Sequence, residues 1–297
     1  LFRVLILENR LFNKFTAIVY SEEFSTKLQE ILSENDKVKE VCRMEYTDKQ
    51  VIHNPYLTRT TTVSHTRGTG YTPVAVATTD DYITINQGGI DPVVIDRADY
   101  AQKTFSDWME VAGEMGLSIR EYLETAMLAS HAQWTNFDNA SIGETAGNIT
   151  VAESNLDDII AGMVREIREA NGENLLERNG GFIIWRPADF EKLQKWAASQ
   201  GYATADDTLK NGIKQGFKYM GIEHYTSNKI AAGHLFGGVK KVFHCGICKS
   251  TFGKFYELED PVVSGAQISG IGLNSRVDYA FKAWNNMVPL LFDILVS

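Results

Sequence analysis

The side chains best suited to chemistry in this 297-residue sequence fall in one short run, His244, Cys245 and Cys248. A histidine beside a Cys-x-x-Cys pair has the donor types for a soft divalent metal. A structural zinc site, however, wants four ligands, usually two such pairs, and the remaining cysteine, Cys42, is remote in sequence. A redox role would want the pair at a helix N-terminus, where the dipole lowers a thiol pKa. The flanking Val242-Phe243 and Thr251-Phe252 have strand character instead, so the run reads as a packed strand with ordinary thiols. These residues form the only metal-like cluster along the sequence, and no cofactor is implied.

Other catalytic patterns fail on spacing. Gly246 to Lys254 contains a Gly-Lys pair, but six residues separate its glycines where a phosphate loop needs four, and Phe255 stands where Ser or Thr should bind magnesium. Gly68-Thr-Gly70 lacks the third glycine of a dinucleotide fingerprint and has no helix behind it. The paired carboxylates Asp80–Asp81, Asp157–Asp158 and Asp206–Asp207 complement a helix dipole where a helix follows and are expected to be solvated elsewhere. No Gly-x-Ser-x-Gly elbow occurs, and the six histidines are scattered.

The elements that would position any site centre on a helical stretch from Asp96 to Trp134. It reads as two amphipathic runs, Asp96–Gly113 and Ser118–Trp134. In the first, Ala98, Ala101, Phe105, Trp108, Met109 and Ala112 keep the three-and-four spacing of one helix face, with Asp96 as N-cap. In the second, Ser118 and Glu121 make a capping box, and Ile119, Tyr122, Leu123, Ala126, Met127 and Ser130 share a stripe.

Upstream, Leu1–Tyr20 has no clean period and reads as an arm that needs a partner surface. Ser21–Leu32 is helical, with Phe24, Leu28, Ile31 and Leu32 on one side, and Ser33–Lys39 is a charged connector. From Val51 to Ile95 the composition turns to Thr, Val, Ile and Tyr, giving strands at Thr60–Val63, Pro73–Val76 and Tyr82–Ile85 around a Gly-rich turn, Thr66–Gly70. An isolated hairpin is marginal in water, so one this polar must lie on something else.

Downstream, Phe137–Thr150 is a loop and Ser154 caps a third helix, whose stripe runs from Leu156 through Ile159, Ile160, Met163 and Val164 to Ile167 before Gly172 ends it. Phe182–Trp185 is a buried strand, and Pro187 opens a helix through Leu193 and Trp196. Gly201–Gly216 is a polar loop. Phe217–Tyr225 and Val239–Cys248 are strands, and Ala280–Val296 adds further extended structure. Helices and strands without regular alternation make the fold α+β.

Hydrophobic content of 44% supports a sizeable core in one large or two small domains. A net charge of -9, with Lys240–Lys241 as the longest basic cluster, argues against a dedicated nucleic-acid binder. Three cysteines are too few for a disulfide scaffold and point to a reducing compartment, the cytosol by default. No apolar run is long enough to span a membrane, and Leu1–Leu7 is interrupted before it forms a signal-peptide core. The sequons at Asn139 and Asn148 therefore carry little weight. The chain opens on Leu1 instead of Met, so preceding residues are expected to have been processed away or to lie outside the numbering.

An arm, a long polar hairpin, a helical spine, a helix-and-strand domain and a C-terminal return follow one another. This order resembles the major capsid proteins of tailed bacteriophages, the Hong Kong 97-type fold. Asp91-Pro-Val-Val-Ile-Asp96 running into Tyr100-Ala-Gln is similar to that family's junction between extended loop and spine helix. Asn211-Gly-Ile followed by Gly216 to Asn228 is similar to its axial-domain stretch, in which a strand ends in Ser-Asn. Phe182-Ile-Ile-Trp-Arg-Pro187 resembles its strand-Pro-helix element.

The resemblance implies an N-terminal arm and short helix at 1–50, an extended loop at 51–95 and a peripheral domain with spine helix at 96–150. An axial domain at 151–260 and a C-terminal return to the peripheral domain at 261–297 would follow. It further implies a non-catalytic virion protein made in the bacterial cytoplasm, assembling with itself into pentamers and hexamers around double-stranded DNA that it does not read. Portal, scaffolding and decoration proteins are the other implied partners, with no membrane. Arg67, Gly68 and Gly70 on the loop, and Arg120, Glu124 and His131 on the spine, become candidate contacts between subunits. The family's type member cross-links a loop lysine to a neighbour's asparagine. No lysine occurs between Val51 and Ala101, so no cross-link by that route is expected. Two other readings stay open: an encapsulin-type bacterial compartment, and a soluble metal-dependent α+β enzyme using His244, Cys245 and Cys248.

Overall fold

Strand-forming runs and helical stripes assemble into two sheets that share a core. The computed structural model describes residues 26–31, 36–57, 62, 64, 66–70, 77–96, 99, 105–199, 217–252, 254–259, 262–263, 266–267 and 269–297. The expected arm Leu1–Tyr20, the strand Pro73–Val76 and the loop Gly201–Gly216 lie outside these residues, as does most of Thr60–Val63.

In chain order the elements are α1 (Lys37–Val41), β1 (Arg43–Thr47), β2 (Val51–Leu57), β3 (Thr78–Thr84), β4 (Gln87–Asp96) and α2 (Phe105–Ala129). After a 3-10 turn at Ser130–Gln133 come β5 (Thr135–Phe137), α3 (Leu156–Glu169), α4 (Glu173–Asn179), β6 (Gly181–Trp185) and α5 (Pro187–Ser199). Then follow β7 (Phe217–Tyr219), β8 (Ile222–Thr226), β9 (His234–Val239), β10 (Phe243–Cys248) and β11 (Lys254–Glu259). Short β12 (Val262–Val263) and β13 (Ala266–Gln267) pair with each other, and β14 (Gly270–Ala283) and β15 (Leu291–Leu295) complete the chain.

One sheet is built on β14. It pairs antiparallel with β10 and β11 along one side and with β4 along the other, and β1 adds parallel to β10. The second sheet runs β5-β15-β9-β6-β8-β7. Its central strand β6 is buried at every residue, as four consecutive apolar side chains require. Helix α3 lies on this sheet with its whole stripe, Leu156 to Ile167, buried. Gly237 makes room for it, since a Cβ there would meet Met163 Sδ at 2.6 Å.

Trp134 joins the two sheets. Its ring meets Phe182, Phe236 and Phe243 edge-on at centroid distances of 6.3, 5.4 and 5.1 Å, and Phe243 stacks on Phe281 at 5.7 Å. Edge-to-face pairs of this kind add about 0.5–1.5 kcal/mol each beyond burial. The core is accordingly continuous from β14 to α3.

Several expectations are corrected. The spine is one helix, α2, and not two: Ser118 and Glu121 sit in its interior and form no capping box. Gly113 and Gly116 do not break it, because glycine in a helix costs only about 1 kcal/mol. Gly116 instead admits the helical segment 26–31, where a Cβ would lie 2.9 Å from Ile31 Cγ2. Asp96 is the last residue of β4, paired with Gly270, and not an N-cap. The connector Ser33–Lys39 contains the start of α1, with Asp36 as N-cap accepting from the Lys39 amide. Asn155, not Ser154, precedes α3. That helix closes through left-handed Asn171, while Gly172 is needed where Leu290 packs 2.4 Å from any Cβ and opens the unanticipated α4. Phe217–Tyr225 is two strands around the positive-φ pair Met220-Gly221, and Val239–Cys248 is divided between β9 and β10 at Lys241.

Among the described residues no helix is long and apolar enough to cross a membrane.

Candidate functional site

The hairpin β2–β3 is the part of the molecule least accounted for by its own core. Its strands pair from Val51↔Thr84 to Leu57↔Thr78. Apart from Ile52, Asp81 and Ile83 its side chains are exposed or half-buried, including Leu57 at 65% and Tyr82 at 55% exposure. Between these strands in sequence, residues 66–70 are all exposed, and Thr69 donates from its amide to Thr66 O at 3.1 Å to close a turn. Gly68 takes φ 92° there, which a residue with a side chain adopts only with strain, and nothing lies within 4 Å of where its Cβ would be.

The root is held differently. Ile52, Ile83 and Ile85 are buried with Ala280 and Trp284 in a small apolar cluster separate from the main core. It covers one face of β10, where Gly246 lets Ile52 descend. Asp81 anchors the same place: its carboxylate accepts from Lys282 Nζ at 2.6 Å and from the Asn285 amide at 2.8 Å. Lys282 Nζ also donates to Tyr82 O at 2.9 Å. Burial pushes the Asp81 carboxyl up, but the bonds from Lys282 and Asn285 outweigh it and hold it below its ordinary value. The expectation that the Asp80–Asp81 pair is solvated is thus wrong for Asp81. Asp80 is exposed, 2.9 Å from His53 Nδ1.

The same strand geometry undoes the metal candidates. His244 and Cys245 are adjacent on β10 and so point to opposite faces. His244 packs under the hairpin root, edge-on to Trp284 at 5.1 Å, with Nε2 3.3 Å from Glu45. Cys245 is buried in the main core, where desolvation pushes its thiol up. Cys248 lies at the strand's end beside Ser250 Oγ at 3.0 Å. Among the described residues these three form no convergent ligand set.

The other candidates divide into two groups. Arg67, Gly68 and Gly70 lie in the exposed turn of residues 66–70. Arg120, Glu124 and His131 are engaged inside the chain, which their helix periodicity did not reveal. Arg120 Nε lies 3.4 Å from Asp36 Oδ2. Glu124 accepts from Lys37 Nζ at 2.8 Å and Ser227 Oγ at 2.6 Å, and His131 Nδ1 lies 3.0 Å from Asp293 Oδ2. They tie α2 to α1, to the turn after β8 and to β15. The root residues Ile52, Asp81, Gly246, Lys282 and Trp284 were missed as a group. Only the alternation of Tyr82-Ile-Thr-Ile85 hinted at them.

On β4, alternate residues Ile90 and Val94 face outward at 59% and 39% exposure. Gly89 lets the Tyr122 ring from α2 approach the strand closely, since a Cβ there would lie 2.5 Å from it. The molecule therefore presents a long hairpin and an adjoining strand with apolar side chains uncovered, beside no enclosed catalytic cluster among the described residues.

This architecture is similar to that of solved capsid structures. The capsid subunit of bacteriophage PhiM1 superposes with a TM-score of 0.59 at 13% identity, over 89% of this chain and 88% of that one. The capsid of Ralstonia phage GP4 gives 0.57 at 9% identity, covering 86% and 87%. A virus-like particle from Pyrococcus furiosus gives 0.55 at 10% identity, covering 93% and 99%. The fold is the Hong Kong 97-type capsid fold, α+β with an extended loop and a spine helix. No family model and no curated relative matches the sequence.

Proposed function

We propose that the chain is the major capsid protein of a tailed bacteriophage, a structural protein that assembles with copies of itself into the icosahedral shell around the genome. The observation that carries this is the hairpin β2–β3, anchored at its root and left bare along its length on a fold shared with phage capsids. An edge of extended backbone with exposed Leu57, Tyr82 and Ile90 gains its burial only against a neighbouring subunit. Many modest contacts of that kind, repeated around closed symmetry axes, build a shell. The acidic balance of the chain suits a wall that must not adhere to packaged DNA. Arg67, Gly68 and Gly70 at the tip are the proposed contact residues; portal, scaffolding and decoration proteins are its further partners in the virion.

Electron microscopy of the purified protein under assembly conditions is the direct test, with closed particles expected. Replacing Thr66–Gly70 by a shorter turn should leave the circular dichroism spectrum and melting temperature of the subunit unchanged while suppressing particles. A variant that loses its fold while its surviving fraction assembles normally would overturn the reading. DNA inside particles made in the host separates a virion shell from a cargo compartment.

A further inference from the structure

Asp293 presents a problem of charge. It is 3% exposed, near the end of the chain on β15, and among the described residues only two imidazoles face its carboxylate as ion-pair partners. His234 Nδ1 lies 2.8 Å from Oδ1 and 3.0 Å from Oδ2, and His131 Nδ1 lies 3.0 Å from Oδ2. Neither partner carries a fixed positive charge, whereas a buried carboxylate needs firm compensation. The two rings are only 4.3 Å apart, inclined at 42°, and both aim the same nitrogen at the same group.

We propose that His131, His234 and Asp293 form a binding site for a divalent transition metal of the zinc class. Two imidazole nitrogens and a carboxylate oxygen are a donor set that zinc accepts, and the three ligating atoms lie within 4.8 Å of one another. Ligands of a tetrahedral ion at about 2.1 Å stand roughly 3.4 Å apart, so the present spacing opens by about half an ångström to admit one. Calcium and magnesium, which want six or more oxygens, do not suit it. A metal replaces the two protons that the Nδ1 atoms otherwise share with Asp293, and it supplies the missing positive charge. Both rings are about a quarter exposed, with side-chain exposures of 27% and 25%, so the ion has a way in and water can take the fourth position.

The fold holds the three ligands firmly. In the antiparallel pair β9–β15, Asp293 stands opposite Phe236 and His234 opposite Leu295. His234 and Asp293 are therefore diagonal neighbours on one face. The 3-10 turn carrying His131 leads into β5, which pairs with β15 at Asp293↔Asn136, and the Trp134 amide donates to His131 O at 2.9 Å. Phe236 backs the His131 ring at 5.9 Å. The ion would clamp the C-terminal strand to the end of the spine helix.

The test uses untagged full-length chain, stripped with a chelator, re-equilibrated with zinc chloride and freed of excess by gel filtration. About one zinc per chain is expected by mass spectrometry, and cobalt substitution should give the visible absorption of a four-coordinate nitrogen-oxygen site. His131→Gln and His234→Gln should each weaken zinc binding at least about tenfold. Zinc should raise the melting temperature of the parent protein and not of these variants, and Cys248→Ser should retain the metal. Zinc at buffer level in the parent would overturn the proposal, as would zinc retained by His131→Gln or lost by Cys248→Ser. Should a histidine variant fail to fold, the zinc content and cobalt spectrum of the parent still decide.

Discussion

A Cβ at Gly246 would lie 2.7 Å from Ile52 Cδ1, beneath the root of the hairpin. Gly246→Val therefore lifts the hairpin off β10 or strains both, at a cost of about 1–3 kcal/mol. Thermal unfolding should show that loss, and particle yield should fall further than the loss of stability explains, because the angle at which the hairpin leaves the subunit changes with its root. Asp81 gives the same anchor a pH dependence. Its folded pKa lies below the ordinary 3.8, so its contribution is present above that value and is lost as pH falls through the lower folded value. Asp81→Asn should remove this acid limb from the hairpin's protection in hydrogen exchange, and an unchanged limb would contradict the anchor. Elsewhere, Glu223 is raised by burial but brought down to about 2 by bonds from Lys218, Lys240 and Tyr225. Its stabilisation is complete above the ordinary 4.5 and disappears toward pH 2. Lys240 is itself buried on Glu223 and Tyr225. Glu223→Gln should thus cost about 3 kcal/mol in urea unfolding near neutral pH, since it leaves the buried ammonium only the more distant Glu40, at 3.7 Å, as counter-charge.

At the scale of elements, α2 carries the fold and the hairpin does not. Ala112, Met115, Ile119, Leu123 and Met127 are buried along one side of a 25-residue helix about 37 Å long. Met127 also receives the Cys42 thiol at 3.4 Å. Met127→Ala should destabilise the subunit by about 2–5 kcal/mol, measured by denaturant unfolding. Shortening the hairpin tip should cost nothing measurable in the same assay, so the two variants separate folding from assembly. The stripe from Ile119 to Met127 was legible because one face recurs every three to four residues. Continuity across Gly113-Glu-Met-Gly116 was not, because local glycine preference argues for a break and only the arrival of Ile31 explains the small residue. The same holds for α4, whose seven residues bury only Leu176 and so leave no stripe to read.

For the whole molecule, the proposed shell has to be held together without the loop lysine chemistry of the family's type member, as Val51–Ala101 contains no lysine. Mature particles should therefore run as a single monomer band on a denaturing gel. A ladder of multimers would contradict this. If exposed Leu57, Tyr82, Ile90 and Val94 are the contacts, assembly should strengthen as salt is raised, through screening of the net charge of -9 and the insensitivity of apolar burial to it. Loss of particles at moderate salt would point to charged contacts in place of apolar ones.

The residues by themselves determined what is periodic or compositional. The α3 stripe, the buried run Phe182–Trp185, the Pro187 helix start, the Gly-rich tip and the acidic balance all follow from spacing or content within a few residues, where local sterics and burial act. Tertiary structure alone decided which distant residues meet. His244 and Cys245, neighbours in sequence, part to opposite faces because a strand alternates. Ile52 and Trp284 come together under the hairpin, and His131, His234 and Asp293 converge from three elements, because strand pairing brings residues remote in sequence to within a few ångströms. No local pattern encodes that register; it is set by the shared core into which the two sheets and the spine helix have to pack.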